Sequence, residues 1–183
     1  MDRSAAIALL KEYVSDEHLL KHCLATGAVM KFVATYLGED AARWELIGIL
    51  HDIDFQLING DMQQHGVRGK DLLVQHGLDT DFAEIVLRHN HFLHNGTYER
   101  RVEIALQASD SVSGLVIACA LVKGGQLSLV TAKTVAKKSK EKSFAAGCDR
   151  NRIALIGPVM DLPAFYEVAI QGLMAIREEL GLN

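Results

Sequence analysis

The stretch LIGILHDID, residues 46–54, places a histidine and an aspartate side by side directly after an apolar run. The apolar residues at positions 46, 47, 49 and 50 have the spacing of a helix, so we predict that a helix ends at His51. Within a regular helix, adjacent side chains point about 100° apart. At a helix end the second residue can turn toward the same point as the first, which makes His51 and Asp52 candidate ligands of one metal ion.

The same three- and four-residue spacing of apolar residues extends through most of the chain, and no segment alternates as a strand does. We therefore predict an all-α fold, a single-domain helical bundle over residues 1–183. Asp16, Asp40 and Ser128 are predicted N-caps, and Gly38 and Gly77 follow helix ends. The predicted helices are Arg3–Val14, Asp16–Leu37, Asp40–His51, His65–His76, Asp81–Asn90, Glu99–Val122, Ser128–Lys140, Arg150–Ile156 and Leu162–Leu180.

Composition excludes several classes of protein. With 49% hydrophobic residues and a net charge of −4, the chain is not an extended disordered protein. Its longest uninterrupted apolar stretch, Leu115–Val122, is too short to span a bilayer, and its first residues lack a secretory signal pattern. We expect a cytoplasmic protein with no membrane partner. Its three cysteines, Cys23, Cys119 and Cys148, have no short pairing and are expected to be reduced.

Two further candidate ligands stand near the middle of predicted helices. His22 lies in the helix Asp16–Leu37 and Asp110 in the helix Glu99–Val122, so both can project into the core of a bundle. Asp110 is surrounded in sequence by apolar residues, and a buried carboxylate is costly unless it meets a metal or hydrogen-bond donors. Imidazole and carboxylate ligands suit divalent metals, while the absence of clustered cysteines argues against a structural zinc site.

The order His22, His51-Asp52, His65, His89, Asp110 resembles the HD superfamily of metal-dependent phosphohydrolases, in particular its uncharacterised HDIG branch. The resemblance extends to residues 105–110 and 142–145, although Asp54 stands where the branch's label has glycine. It implies one or two divalent transition-metal ions, iron or manganese in preference to zinc, cobalt, nickel or magnesium. It also implies that Asp52 bridges the two ions, and that the full ligand set is His22, His51, Asp52, His65, His89 and Asp110.

Some roles stay open at this point. His65 and His89 could instead contact substrate around a single ion, and His91 is a reserve ligand or a substrate contact. Because His89 and His91 lie about 200° apart on a helix, both can bind only if the helix has ended between them. Besides Asp52, we expect Arg68 to bind phosphate and Asp54 to act as a base, the alternatives being a solvated arginine and a turn acceptor.

The resemblance implies hydrolysis of a phosphoester or phosphoanhydride bond in a nucleotide or another small phosphorylated metabolite, by a metal-activated water. The alternatives are a diiron oxygenase of the HD type and a non-catalytic metal- or ligand-binding module. Residues 123–152 carry a charge of +6, which is either a solvated surface or a field that attracts a phosphorylated substrate. The overall acidity argues against nucleic acid as the main partner. The apolar last helix packs internally or against a second copy, so a homodimer stays open.

Overall fold

The chain contains ten α-helices and two short 3-10 segments, His91–Leu93 and Leu127–Leu129. A computed structural model describes it from Met1 to Asn183. There is no β-strand, so the predicted all-α class is confirmed. The helices are α1 (Arg3–Tyr13), α2 (Glu17–Leu37), α3 (Ala41–Leu50), α4 (Val67–Gln75), α5 (Thr80–Arg88), α6 (Arg101–Leu121), α7 (Ala132–Ser139), α8 (Arg150–Ala154), α9 (Leu162–Ala175) and α10 (Arg177–Leu180).

Side-chain caps set most helix starts. Asp16 and Asp40 are N-caps as predicted, each accepting a backbone N–H of the first turn. The prediction for Ser128 is wrong, because Ser128 lies inside a 3-10 segment and the hydroxyl of Thr131 caps α7 instead. The last predicted helix is two helices, since Ile176, with φ −121° and ψ 19°, lies outside the helical region and separates α9 from α10.

Helix α2 lies at the centre of the bundle, where it packs against α3, α6 and α9. The buried apolar side chains form one continuous core that extends from α1 to the C-terminal residues. Phe165 and Leu173 of α9 are fully buried in it, so the apolar face of this helix is covered within the chain. Helix α6 is long and apolar enough to cross a membrane, but 67% of its most apolar window is buried in the protein, as is usual for a core helix.

A close approach of two backbones fixes the position of α3 against α2. A Cβ atom added to Gly48 would lie 2.6 Å from the Cα atom of Gly27, and one added to Gly27 would lie 2.9 Å from the carbonyl oxygen of Glu45. Larger residues at either position would therefore push the helices apart. Since His22 stands on α2 and His51 follows α3, this contact also sets the distance between two predicted ligands.

Candidate metal centre

The six predicted ligands meet in one cluster, although they come from five separate parts of the chain. His22 projects from the second turn of α2, and Asp110 projects from the middle of α6. His51 is the C-cap of α3 and His89 the C-cap of α5, while Asp52 and His65 belong to the turns between α3 and α4. Because α3 has ended at Leu50, His51 and Asp52 can face the same point.

One oxygen of Asp52 faces the first pair of histidines. Its Oδ2 atom lies 3.6 Å from Nε2 of His22 and 3.4 Å from Nε2 of His51. The two Nε2 atoms are 3.2 Å apart. Oδ1 of Asp110 lies 3.2 Å from Nε2 of His22 and adds a second carboxylate to this group.

The other oxygen of Asp52 faces a second pair of histidines. Its Oδ1 atom lies 3.3 Å from Nε2 of His65 and 3.1 Å from Nε2 of His89. Asp52 forms one group of three ligands with His22 and His51 and another with His65 and His89. Within each group the ligand atoms lie within 4.8 Å of one another. Asp52 therefore connects two groups of nitrogen donors.

The rings of three histidines are oriented by hydrogen bonds on the side away from the cluster. Nδ1 of His51 lies 2.8 Å from the carbonyl oxygen of Gly48, and Nδ1 of His89 contacts that of Val86. Nδ1 of His65 lies 2.9 Å from Oδ1 of Asp54. An N–H at Nδ1 leaves the lone pair on Nε2, the arrangement that metal-binding histidines commonly have.

The contacts of Asp54 favour a positioning role over the base role predicted for it. Its carboxylate is fully buried, and besides His65 it accepts the backbone N–H groups of Gly66 and Gly69, each at 2.7 Å. With these three donors and no exposure, Asp54 has no free oxygen to take a proton from a substrate water. It instead holds His65 and the start of α4 in place.

Two buried amides fix the remaining segments. Asn90 donates from Nδ2 to the carbonyl oxygens of Met62 and His65, at 2.7 and 3.0 Å, and so ties the α3–α4 connection to the end of α5. Gln107 on α6 donates from Nε2 to the carbonyl oxygen of His89 at 2.7 Å. These hydrogen bonds fix the backbone at His65 and at His89.

The pKa values show a cluster with excess negative charge. Burial disfavours the charged form of His22, but Asp110 and Asp52 outweigh it and raise the pKa of His22 to about 9. Burial is likewise outweighed at His65, whose pKa is raised to about 9 by Asp52 and Asp54. Burial lowers the pKa of His51 to about 4, which keeps that ring neutral.

Neighbouring histidines lower the pKa values of both carboxylates, Asp52 and Asp110. Burial would raise the pKa of Asp110, but the hydrogen bond and charge of His22 lower it to about 2. The pKa of Asp52 falls well below its ordinary value, because its histidine neighbours outweigh the effect of burial. With these pKa values, His22 and His65 are protonated near pH 7 and offset the negative charge that a metal cation would otherwise offset.

These residues fit divalent metal ions. Nitrogen and oxygen donors that share an ion at bonds of ~2.0–2.2 Å lie about 3–3.5 Å apart. Asp52 has this spacing to His51, His65 and His89, and its distance to His22 is 3.6 Å. The donors are four imidazoles and two carboxylates, a set suited to iron, manganese or zinc. Cys23, although next to His22, is buried in the apolar core and adds no thiolate to the cluster.

Two residues predicted near the site do not join the cluster. The side chain of Arg68 is 49% exposed and lies 3.9 Å from Asp71, so its placement gives no support to a phosphate-binding role. His91 lies beyond the end of α5, yet its Nδ1 contacts the guanidinium of Arg152 rather than the cluster. The substrate-contact alternative for His91 is the one that this placement favours.

Arg152 is the residue that the sequence interpretation missed. Its Nη1 atom donates to Oδ2 of Asp110 at 3.0 Å, its Nη2 atom contacts His91, and its side chain is 20% exposed. The one available signal was its place in the basic segment 123–152, which does not distinguish it from its neighbours. Arg150, in the same segment, donates to the backbone carbonyls of Phe144, Ala145 and Cys148 and so holds the α7–α8 loop.

Three cavities meet at Arg152. A cavity of 150 Å³ lies over the cluster between Asp52, His65, His89 and Asp110. A second, of 370 Å³, extends from His22 and Asp110 toward Cys148, and a third, of 190 Å³, lies beyond His91. The cluster is therefore open to a small ligand, and Arg152 lines all three of these cavities.

Comparison with known proteins places this arrangement in a family. The model of the HD domain matches residues 19–120, which is more than half of the chain and contains all six clustered ligands. Ribonuclease Y of Oleidesulfovibrio alaskensis is 27% identical over 99 residues, or 54% of this chain, and the chain covers only 18% of that protein's length. No solved structure matches. The chain belongs to the HD domain family.

Proposed function

We propose that this protein is a metal-dependent phosphohydrolase with two divalent ions, acting on a small phosphorylated metabolite. The observation that supports this most directly is the placement of Asp52, whose two oxygens each face a different pair of histidine Nε2 atoms. A carboxylate in that position can bridge two ions. Such a pair of ions supplies a water of lowered pKa and neutralises charge on phosphoryl oxygens.

The ligands divide between the two positions. His22, His51 and Asp110 would hold one ion, and His65 and His89 the other, with Asp52 shared. We keep iron or manganese as the expected metals, because imidazole and carboxylate ligands suit them. Asp52 acts in catalysis as the shared ligand, since both of its oxygens are directed at histidines and neither is left to act as a base.

Arg152 would bind the phosphoryl group of the substrate. A guanidinium has five N–H donors, and hydrogen bonds to Asp110 and His91 account for two of them. The side chain borders the 150 Å³ cavity over the cluster, where its remaining donors are available to phosphoryl oxygens. Arg152 would also hold Asp110 so that its other oxygen faces His22. This residue lies outside the segment that matches the family model.

A small substrate fits this site better than a long nucleic acid. The relative named as a ribonuclease is consistent with phosphoester chemistry, but the chain carries a net charge of −4 and the cavity over the cluster is only 150 Å³. The basic residues Lys140 and Lys142 line a neighbouring cavity of 620 Å³, where they could attract anions. We also propose a cytoplasmic location, where phosphorylated metabolites are found.

The test is phosphate release by protein loaded with iron, manganese, cobalt or magnesium. The substrates are p-nitrophenyl phosphate, bis-p-nitrophenyl phosphate, nucleotides, sugar phosphates and a short RNA. Metal-dependent release from a small ester, abolished in His51→Ala, supports the proposal, while Tyr36→Phe, an exposed position, serves as the matched control. Two bound irons without hydrolysis of any ester would contradict it and favour the oxygenase.

A further inference from the structure

Phe55 is an exposed aromatic residue beside the metal cluster. Its ring packs against the ring of His65, with the centroids 5.2 Å apart and the planes at 85°, and 37% of the residue remains exposed. It lines the 150 Å³ cavity over the cluster, where Met62 is the other apolar residue among eight. A large apolar side chain in the wall of a polar site is typical of a contact with a ligand.

The chain on both sides of Phe55 is anchored, which fixes the position of the ring. Before it, Asp54 is fully buried and its carboxylate has three hydrogen-bond partners. After it, the side-chain oxygen of Gln56 accepts the backbone N–H groups of Ser15 and Asp16, at 2.8 and 3.1 Å. A ring held in this way loses little conformational freedom when a ligand packs against it.

The peptide groups of Phe55 are already paired, so the ring is the part that a ligand can contact. Its backbone N–H donates to the carbonyl oxygen of Asp52 at 3.0 Å, and its carbonyl oxygen accepts the backbone N–H of Gly60 at 3.2 Å. A Cβ atom added to Gly60 would lie 3.7 Å from Cζ of the ring, in ordinary van der Waals contact. Because residue 60 is glycine, no side chain covers this part of the ring.

Apolar and charged groups border the cavity on different sides of the cluster. Phe55 packs against His65, whereas Arg152 donates to Asp110, the carboxylate that faces His22. Arg152 is the one arginine in the wall, which contains no lysine. Once Arg152 and the ions bind the phosphoryl group, no cationic side chain remains in this cavity for a second anionic group.

We propose, on the basis of the proposed function, that Phe55 is a specificity-determining residue that packs against the organic group of the substrate. The phosphoryl group lies over the cluster beside Arg152. The organic group extends toward Phe55 and Met62, and its part next to the ester oxygen is uncharged and apolar or aromatic. The substrate class is therefore a phosphoester with an apolar group at this position, in preference to one with a second charge there.

Phe55→Ala tests this assignment, because it removes the ring and leaves the metal ligands in place. We would measure kcat/KM of the metal-loaded protein for benzyl phosphate, ethyl phosphate and O-phosphoserine, and wild type should prefer benzyl phosphate. In Phe55→Ala the ratio of kcat/KM for benzyl phosphate to kcat/KM for ethyl phosphate should fall about fivefold, the effect of one aromatic pair. The intrinsic reactivity of each ester is the same with both proteins, so the change in the ratio reports on the ring.

Two variants serve as controls. Phe55→Tyr keeps the ring and should keep the wild-type ratio. Leu57→Ala removes another exposed apolar side chain of the same connection, 48% exposed and outside the wall of this cavity, and should also keep it.

A merely structural role of Phe55 would give a different result. If the ring only supports His65, Phe55→Ala loses metal and hydrolyses both esters more slowly by the same factor. That unchanged ratio would overturn the assignment, as would a wild-type preference for ethyl phosphate or O-phosphoserine. Either result leaves the hydrolase proposal standing.

If no ester releases phosphate, the hydrolase proposal fails and binding decides the role of Phe55. Calorimetry on the metal-loaded protein would then compare benzylphosphonate with ethylphosphonate, which are not hydrolysed. Tighter binding of benzylphosphonate, weakened about fivefold in Phe55→Ala, supports the contact with Phe55. Equal affinity of wild type for the two phosphonates overturns it.

Discussion

Replacing Asp54 with asparagine should weaken the binding of one metal ion while leaving the fold intact. In the protein, Oδ2 of Asp54 accepts both backbone N–H groups, from Gly66 and Gly69, and Oδ1 faces Nδ1 of His65. In Asp54→Asn the amide oxygen can keep the two backbone hydrogen bonds. The amide nitrogen then faces His65 and donates to Nδ1, so the proton of His65 moves to Nε2.

This tautomer binds a metal less well, because the lone pair of His65 then lies on Nδ1 and no longer faces Asp52. Loss of such a supporting partner typically lowers metal affinity about 10–100-fold. The free energy of unfolding should fall by about 1–3 kcal/mol, since hydrogen bonds to a charged acceptor become hydrogen bonds to a neutral one. We would measure metal stoichiometry by mass spectrometry, affinity by calorimetry and stability by urea denaturation.

Asp71→Asn is the matched control, because Asp71 is 55% exposed and lies 3.9 Å from Arg68 at the surface. It should bind metal as wild type does. Two ions bound to Asp54→Asn with unchanged affinity would show that His65 does not depend on Asp54 for its orientation.

Three further predictions concern other parts of the site. Gly48→Ala should lower the free energy of unfolding by about 1–3 kcal/mol in thermal denaturation and weaken metal binding, because its Cβ atom would lie within 3 Å of the α2 backbone. In the control Gly157→Ala the nearest atom is 3.4 Å from the new Cβ atom, so stability and metal binding should not change. Arg152→Ala should lower kcat/KM for p-nitrophenyl phosphate about 100-fold. Arg152→Lys should not restore it, because one ammonium cannot contact both Asp110 and His91. Full activity in the lysine variant would show that the two contacts of Arg152 are not needed. Metal binding at pH 7 should release about two protons, since the raised pKa values of His22 and His65, each about 9, keep both rings protonated without an ion. Metal affinity should therefore rise with pH up to about 9. Calorimetry in two buffers of different ionisation enthalpy measures the proton release, and a result of none would contradict this prediction.

The helices were predictable because their signals are local. Apolar spacing and capping residues such as Asp16 and Asp40 lie within a few positions of the helix ends they define. Ser128 was misjudged because a second capping residue, Thr131, stands one turn later and the structure uses that one. The break at Ile176 has no sequence signal of its own, since neither glycine nor proline marks it.

The clustered ligands were named from their order in the chain, whereas the residues that support them were not. Whether Asp54 acts as a base or orients His65 depends on burial and on two backbone N–H groups that come from a later turn. Arg152 reaches the site from α8, 42 residues after Asp110 in the sequence. Contacts of this kind follow from helix packing, which the periodicity of a single sequence does not determine.

If Asp52 bridges two metal ions, the protein purified without chelators should contain both of them. Elemental analysis of wild type should give two transition-metal ions per chain, with the second lost in Asp54→Asn. One ion in both proteins would contradict the bridging role of Asp52, and no metal in wild type would contradict the metal centre as a whole.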